Sequence, residues 1–250
     1  MLLLFGGARG FSAGRISGLT AWYETSNTAN LSLVGSAITK FLDISGNNNN
    51  TDDQGTAAAR PTHTASQING LSCAVFDGGD YLVSTSVIPA LRSGIDKAVT
   101  AFCVSSQTTI GSDGYQYIWG KSDTTTPLMG LRYDASSIYR VLKRDDSTTL
   151  KQPSGGNPVS GVANISSMVT NGTAVDLYIN NTLRITAGDI DLGTTTINNF
   201  TIGASFRNAI ASLWLTGKIG EILIYNRALT STEVTLVNRY LGNKWGITVA

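Results

Sequence analysis

The chain has 250 residues, 42% of them hydrophobic and only 14% charged, with 18 basic and 17 acidic side chains and a net charge of +1. That balance excludes a nucleic-acid binder working through a basic field, and it excludes an acidic disordered tail. A single histidine, His63, excludes most zinc sites, Ser-His-Asp triads and Cys-His dyads.

Ser, Thr, Asn and Gly take the place of the missing charges, which usually make up roughly 25% of a soluble domain. Short β-branched and aromatic runs recur between Gly, Asn, Asp and Ser clusters, the pattern of an all-β chain. The N-terminus reads Met1-Leu2-Leu3-Leu4-Phe5-Gly6-Gly7. It has no basic n-region, and its apolar run falls short of the ~7–15 residues of a secretory h-region, so a short strand or hydrophobic arm is expected. We expect an arm over residues 1–17 and one sandwich domain over 18–250. Gly6-Gly7-Ala8-Arg9-Gly10 lacks the Lys-Ser/Thr ending of a phosphate loop, and no helical pattern follows it. No run approaches the ~20 apolar residues of a membrane span.

Asn47 to Asn50 followed by Thr51-Asp52-Asp53-Gln54-Gly55 predicts an exposed, mobile loop. Cys73 and Cys103 lie in strand-like runs and read as reduced core residues. Tyr115, Tyr117 and Trp119 alternate in Gly114-Tyr-Gln-Tyr-Ile-Trp-Gly120. On one strand face they would form either a sugar-binding platform or a core-facing aromatic row. Gln152 to Gly161, with two prolines and several glycines, predicts a second loop.

Asn171-Gly172 and Asn180-Asn181 predict tight hairpins, because Asn and Gly tolerate positive φ. Between them Val175, Leu177 and Ile179 alternate with polar residues, marking one apolar face. Lys218 to Tyr225 predicts a strand buried on both faces. One helix is expected near the C-terminus. Thr230 and Glu233 form a capping box, Val234, Val237, Tyr240 and Leu241 share a face, and Gly242 is the expected stop. Lys244 to Val249 reads as a last strand or docking tail.

The segment Lys218-Ile-Gly-Glu-Ile-Leu-Ile-Tyr-Asn-Arg-Ala-Leu229, continued by Tyr240-Leu-Gly-Asn-Lys-Trp-Gly-Ile247, resembles the ending of the concanavalin A-like, laminin-G-type jelly-roll domains of bacteria and their phages. The usual form there is G-x-I-A-E-I-L-V-Y-N-R-A-L, a short capped helix, then Y-L-x-x-K-W-G-I. Leu19-Thr-Ala-Trp-Tyr-Glu-Thr-Ser26 is similar to the family's L-x-L-W-L-D-A-S, with Glu24 at the usual Asp. Phe41-Leu-Asp-Ile-Ser-Gly-Asn47 is similar to W-x-D-L-S-G-N. Arg60-Pro-Thr62, Asn69-Gly70 and Val75-Phe-Asp-Gly-Gly-Asp-Tyr-Leu82 match R-P-T, N-G and V-x-F-D-G-x-D-Y-L. Val175 to Asn181 resembles V-x-L-Y-V-N-G.

The resemblance covers roughly Gly18 to Ile247. It implies a two-sheet antiparallel jelly-roll sandwich, concanavalin A-like, with one short C-terminal helix, and it leaves function to be argued from sites. Hydrolases of this fold usually carry E-x-D-x-E on one strand. This chain has only Glu24, Glu221 and Glu233, none two residues from another acid, and Asp189-Ile-Asp191 is the nearest imitation. The expected protein is therefore not an enzyme.

No cofactor is expected. Calcium is the one exception that the oxygen-rich turns could serve, at Asp43, Asp77 or Asp80. The first functional expectation is a virion structural or surface protein: a head decoration, a tail or fibre accessory. It would assemble in the host cytoplasm through Leu2, Leu3, Leu4 and Phe5, which add a strand to another virion protein. It would form homo-oligomers and attach to a host glycan. The alternative is a carbohydrate-binding lectin module with Tyr115, Tyr117 and Trp119 as its platform, dependent on calcium if those turns hold the ion. Neither reading involves nucleic acid or a membrane span.

Overall fold

In the strand Val99–Gln107, Ala101 and Cys103 face one way and Phe102 and Val104 the other, and all four are fully buried. A strand apolar on both faces belongs in the middle of a sheet covered on both sides. The computed structural model describes residues 11–109 and 113–250 and places this strand there.

The large sheet runs Thr182–Asp189, Ala174–Ile179, Asn164–Thr170, Val99–Gln107, Thr216–Tyr225, Leu71–Asp77, Thr62–Ile68, Ala37–Phe41 and Leu31–Val34. Leu19–Glu24 pairs with the second half of Thr216–Tyr225, beyond the end of Leu71–Asp77. The small sheet runs Leu150–Lys151, Tyr139–Arg144, Leu128–Tyr133, Gly114–Gly120, Asn199–Ile202 and Leu82–Ser84. All pairings are antiparallel. The main core lies between the two sheets and includes Tyr23, Phe41, Phe76, Tyr117, Trp119, Met168 and Ile222. This is the jelly-roll sandwich the sequence leads one to expect.

Both Asn-based hairpins are present, with Asn180 and Asn181 at φ 50° and 65° and Gly172 at 115°. Cys73 and Cys103 are buried free thiols, each pushed up to about 12 by burial. A third layer covers the outer face of the large sheet. The helix Ser231–Trp245 lays Val234, Val237, Leu241 and Trp245 on Phe102, Val104, Leu223 and Tyr225. Its capping box forms as expected, with the Thr230 hydroxyl accepting from Glu233 N and the Glu233 carboxylate accepting from Thr230 N.

The helix does not stop at Gly242. It continues to Trp245 and ends on Gly246 at φ 64°. Gly242 instead makes room for the returning tail, because a Cβ there would come within 2.7 Å of the Ile247 carbonyl. Lys244 and Trp245 therefore belong to the helix. The rest of the tail docks without forming a strand, with Ile247 buried and Ala250 N donating to the Asn180 carbonyl at 3.1 Å.

Two further segments are tied down more closely than their composition suggests. Asn47 to Gly55 is the expected loop, with Asn47, Asn48, Asp52, Asp53 and Gly55 exposed, but Asn49, Thr51 and Gln54 are buried and Thr51 N and Gln54 N donate to the carbonyls of Phe41 and Thr39. Residues 11–17 are packed on the helix layer, with Ala13 and Ile16 buried, Phe11 edge-on to Tyr240, and a short 3₁₀ turn at Ala13–Arg15. The rest of the expected arm, including Leu2, Leu3, Leu4 and Phe5, lies outside the described residues.

Candidate functional site

The aromatic row does not form a platform. Tyr115, Tyr117 and Trp119 are at most 1% exposed. A bulge at Gln116 shifts the register between Tyr115 and Tyr117 against Arg132 and Leu131. An extra residue on one strand breaks the two-residue alternation. Tyr117 and Trp119 therefore enter the core between the sheets, where Trp119 packs on Phe200 and donates to the Ile88 carbonyl. Tyr115 stays on the outer face, beneath Leu213 and beside Ile118, Leu128 and Leu142.

The carboxylates considered for calcium are engaged by the backbone. Asp43 accepts from Trp22 N, Ser45 N and Asn49 N, each at 2.9 Å, and so organises its own turn. Asp77 accepts from Gly79 N, and Asp80 accepts from Asp77 N. Among the described residues no three His, Cys, Asp or Glu side chains gather as a metal site. The hydrolase candidates are similarly occupied. Glu233 caps the helix and pairs with Arg227. Glu24 accepts from Ser26 N and from Asn30. Asp189 pairs with Lys151.

A different site emerges at the edge of the small sheet. The hairpin formed by Ser205–Arg207 and Ile210–Ser212 packs against the strand Gly114–Gly120. It brings Phe206 face to face with Tyr81, ring centroids 5.5 Å apart and planes 15° from parallel. Trp214, just past the hairpin, meets the same Tyr81 at 5.6 Å and 58°. All three rings are half-buried. Tyr81 and Phe206 border a hollow of about 200 Å³ whose other walls are Asp52, Asp53, Gln54 and Val83, and Trp214 joins the edge through its contact with Tyr81.

Local bonds fix this edge. Gln54 donates through Nε2 to the Tyr81 carbonyl at 2.9 Å and accepts from Thr56 N at 3.1 Å. Tyr81 N donates to the Ala59 carbonyl, and Asp52 accepts from both the backbone and the hydroxyl of Thr85. Asp53 pairs with Lys40 but leaves 70% of its side chain in water. Half-exposed rings beside carboxylate and amide groups can hold an amphipathic ligand, one face apolar and its rim rich in hydroxyls. A larger cleft of about 490 Å³ lies across the large sheet and includes Gln67, Asn69, Ser106, Asn180 and Thr248, but no aromatic ring lines it.

Sequence reasoning missed this trio. Tyr81 was visible only inside the D-Y-L motif, and Phe206 and Trp214 are isolated aromatics in turn-rich sequence. The signal was weak: large apolar rings where turns predict exposure.

Fold and site define a lectin-type jelly-roll sandwich with an aromatic edge. The sequence profile of the Concanavalin A-like lectin/glucanases superfamily matches residues 76–235, and the chain belongs to that superfamily. No curated protein matches it in sequence. Among solved structures it is similar to the Trypanosoma rangeli sialidase in complex with the inhibitor DANA, with a TM-score of 0.62 and 14% identity over 89% of this chain. It spans only 33% of that sialidase. It is similar also to domain 4 of AbnA, a GH43 extracellular arabinanase from Geobacillus stearothermophilus, in complex with arabinotriose. There the TM-score is 0.61 and the identity 16%, over 87% of this chain and 96% of that one. The CBM40 of the Ruminococcus gnavus IT-sialidase, bound to alpha2,3 sialyllactose, aligns at a TM-score of 0.50 and 15% identity over 58% of this chain and 83% of that one. These identities speak to the shared fold.

Proposed function

We propose that the chain is a non-catalytic carbohydrate-binding module whose glycan rests on the edge formed by Tyr81, Phe206 and Trp214. The observation that carries this reading is the near-parallel stack of Tyr81 on Phe206, left half-open beside Asp52, Asp53 and Gln54. A sugar ring offers its C–H face to an aromatic and its hydroxyls to carboxylates and amides, which is the chemistry present here. Two proteins of similar fold are described in complex with arabinotriose and sialyllactose. Binding without hydrolysis is part of the proposal, supported by the structural engagement of Glu24 and Glu233 and of Glu221, whose carboxylate accepts from the indoles of Trp22 and Trp245 and pairs with Lys244. Calcium is not part of it. A place on a phage particle, attached through Leu2, Leu3, Leu4 and Phe5, rests on the sequence resemblance alone and ranks second.

The test is glycan-array binding of the full chain, with calcium and with chelator, alongside Tyr81→Ala and Trp214→Ala. Binding should survive the chelator and fall about tenfold or more in each variant, the loss typical of an aromatic anchor. Binding that both variants retain, in chains that unfold at the wild-type temperature, places the ligand elsewhere. Retention on no glycan overturns the reading.

A further inference from the structure

The hairpin that carries Phe206 carries Arg207 next to it, and Arg207 joins an unusual gathering of guanidinium groups. On the outer face of the small sheet, register sets Arg140 opposite Arg132 and Arg132 opposite Tyr115. Arg144 lies four residues along the same strand, on the same face as Arg140. Arg207 reaches over Gly120, where a Cβ would stand 3.0 Å from its Cγ. It donates through Nε to the Ser205 hydroxyl at 2.8 Å and through Nη1 to the Thr125 carbonyl. The Arg132 guanidinium sits 6.0 Å from the centroid of the Tyr115 ring.

The charges on this face do not balance. Arg140 pairs with Asp134 and Arg132 pairs with Asp113. Arg144 and Arg207 have no carboxylate partner among the described residues, and Arg144 holds no side-chain hydrogen bond there either. Neither Met1–Gly10 nor Ile110–Ser112 contains an acidic residue that could supply one. Arg132 Nε is buried without a partner. After burial itself, Arg144 and Arg132 are what lower the affinity of Arg207 for its proton. Burial raises the Tyr115 phenol, and Arg132, Arg207 and Arg144 act against that rise. Two guanidinium groups without a carboxylate, beside a third that is paired with Asp113 but keeps an unpartnered Nε, leave a site for an anion.

We propose that Arg144, Arg207 and Arg132 bind the anionic group, carboxylate or sulfate, of an acidic glycan. This rests on the carbohydrate-binding reading above and names the ligand class for it. The two halves meet on one short strand, where Phe206 faces the aromatic edge and Arg207 faces the cationic floor. Guanidinium suits the planar carboxylate and the sulfate oxyanion because its donors lie in a fixed fork.

The experiment is calorimetry on the full chain with matched oligosaccharides. The pairs are sialylated against desialylated, uronate-bearing against neutral, and sulfated against unsulfated. The acidic member of at least one pair should bind about tenfold or more tightly, and that preference should shrink as salt is raised. Arg144→Gln should remove most of the preference, and so should Arg207→Gln. Arg140→Gln, which breaks an already neutralised pair, should keep it. If Arg207→Gln fails to fold, Arg144→Gln carries the test alone, because that side chain anchors nothing. Equal affinity within every pair, or a preference that Arg144→Gln leaves intact, overturns this inference and leaves the carbohydrate-binding reading standing. Failure to bind any member overturns both. The pairs that respond distinguish carboxylate from sulfate.

Discussion

Lys244 reaches from the C-terminal helix to Glu221, its Nζ 2.7 Å from Oε2, and stands 3.3 Å from Oε1 of Glu24. Glu24 and Glu221 are cross-strand partners, and both are buried. Like charges directly opposite each other destabilise a ladder, so the ammonium is what lets the pair exist. Trp22 Nε1 at 2.6 Å, Trp245 Nε1 at 2.7 Å and the Tyr240 hydroxyl at 3.3 Å also donate to Glu221. Burial raises the Glu221 carboxyl, while Lys244 and the two indoles pull it back. The helix is thus tied to the sheet by charge as well as by its apolar stripe.

Removing the ammonium should expose that dependence. Lys244→Met leaves two buried carboxylates facing each other, and it should cost about 3 kcal/mol in chemical denaturation. Glu221→Gln in that background should recover part of the loss, with a coupling of about 1 kcal/mol or more in the double-mutant cycle. A Lys244→Met chain as stable as wild type would show that the network carries no weight.

Gly220 supports the same contact from below. A Cβ there would lie 2.7–2.9 Å from three ring carbons of Trp245. An indole locked by its bond to Glu221 cannot slide aside without lifting the helix. Gly220→Ala should therefore cost about 1–3 kcal/mol and alter the near-ultraviolet circular dichroism of Trp245.

Two carboxyls set opposite pH trends. Burial is the main reason that Asp80 is raised from 3.8 to about 6. The folded state then holds its proton more tightly than the unfolded state, so the Asp80 contribution to stability falls as pH rises from about 4 to about 6. Asp80→Asn should flatten that slope in unfolding midpoints measured against pH. Glu233 is lowered from 4.5 to about 2, chiefly by its hydrogen bond to Arg227. Its contribution is present above about 4.5 and is lost as pH falls towards about 2. Glu233→Gln should abolish that acid limb, and salt should weaken the limb because the pair is partly solvated.

What could be read in the sequence was local. The capping box of Thr230 and Glu233 and the turn at Asn180-Asn181 depend on residues a few positions apart, and both formed as their chemistry dictates. The helix end was misplaced because Gly242 answers to a tail that folds back over it, which no local rule contains. The aromatic row failed for a related reason. Whether Tyr115 shares a face with Tyr117 depends on a bulge, and a bulge is a property of two strands in register. The aromatic edge and the arginine floor were least legible. Tyr81 is far in sequence from Phe206 and Trp214, and Arg132 and Arg144 are far from Arg207, so only the sandwich topology brings each group together.

The aromatic edge can be watched directly through its tryptophan. The chain has four. Trp119 and Trp245 are fully buried, and Trp22 is bonded to Glu221 on the helix side of the large sheet. Only Trp214 stands half-buried against Tyr81 at the candidate site. A glycan seated there displaces water from that one indole, so its emission should shift on titration while the other three stay silent. Trp214→Phe should abolish the signal, and Trp22→Phe should keep it. A ligand-induced change that persists in Trp214→Phe would mean that the sugar sits on another face of the sandwich, with the cleft around Ser106 and Asn180 next in line.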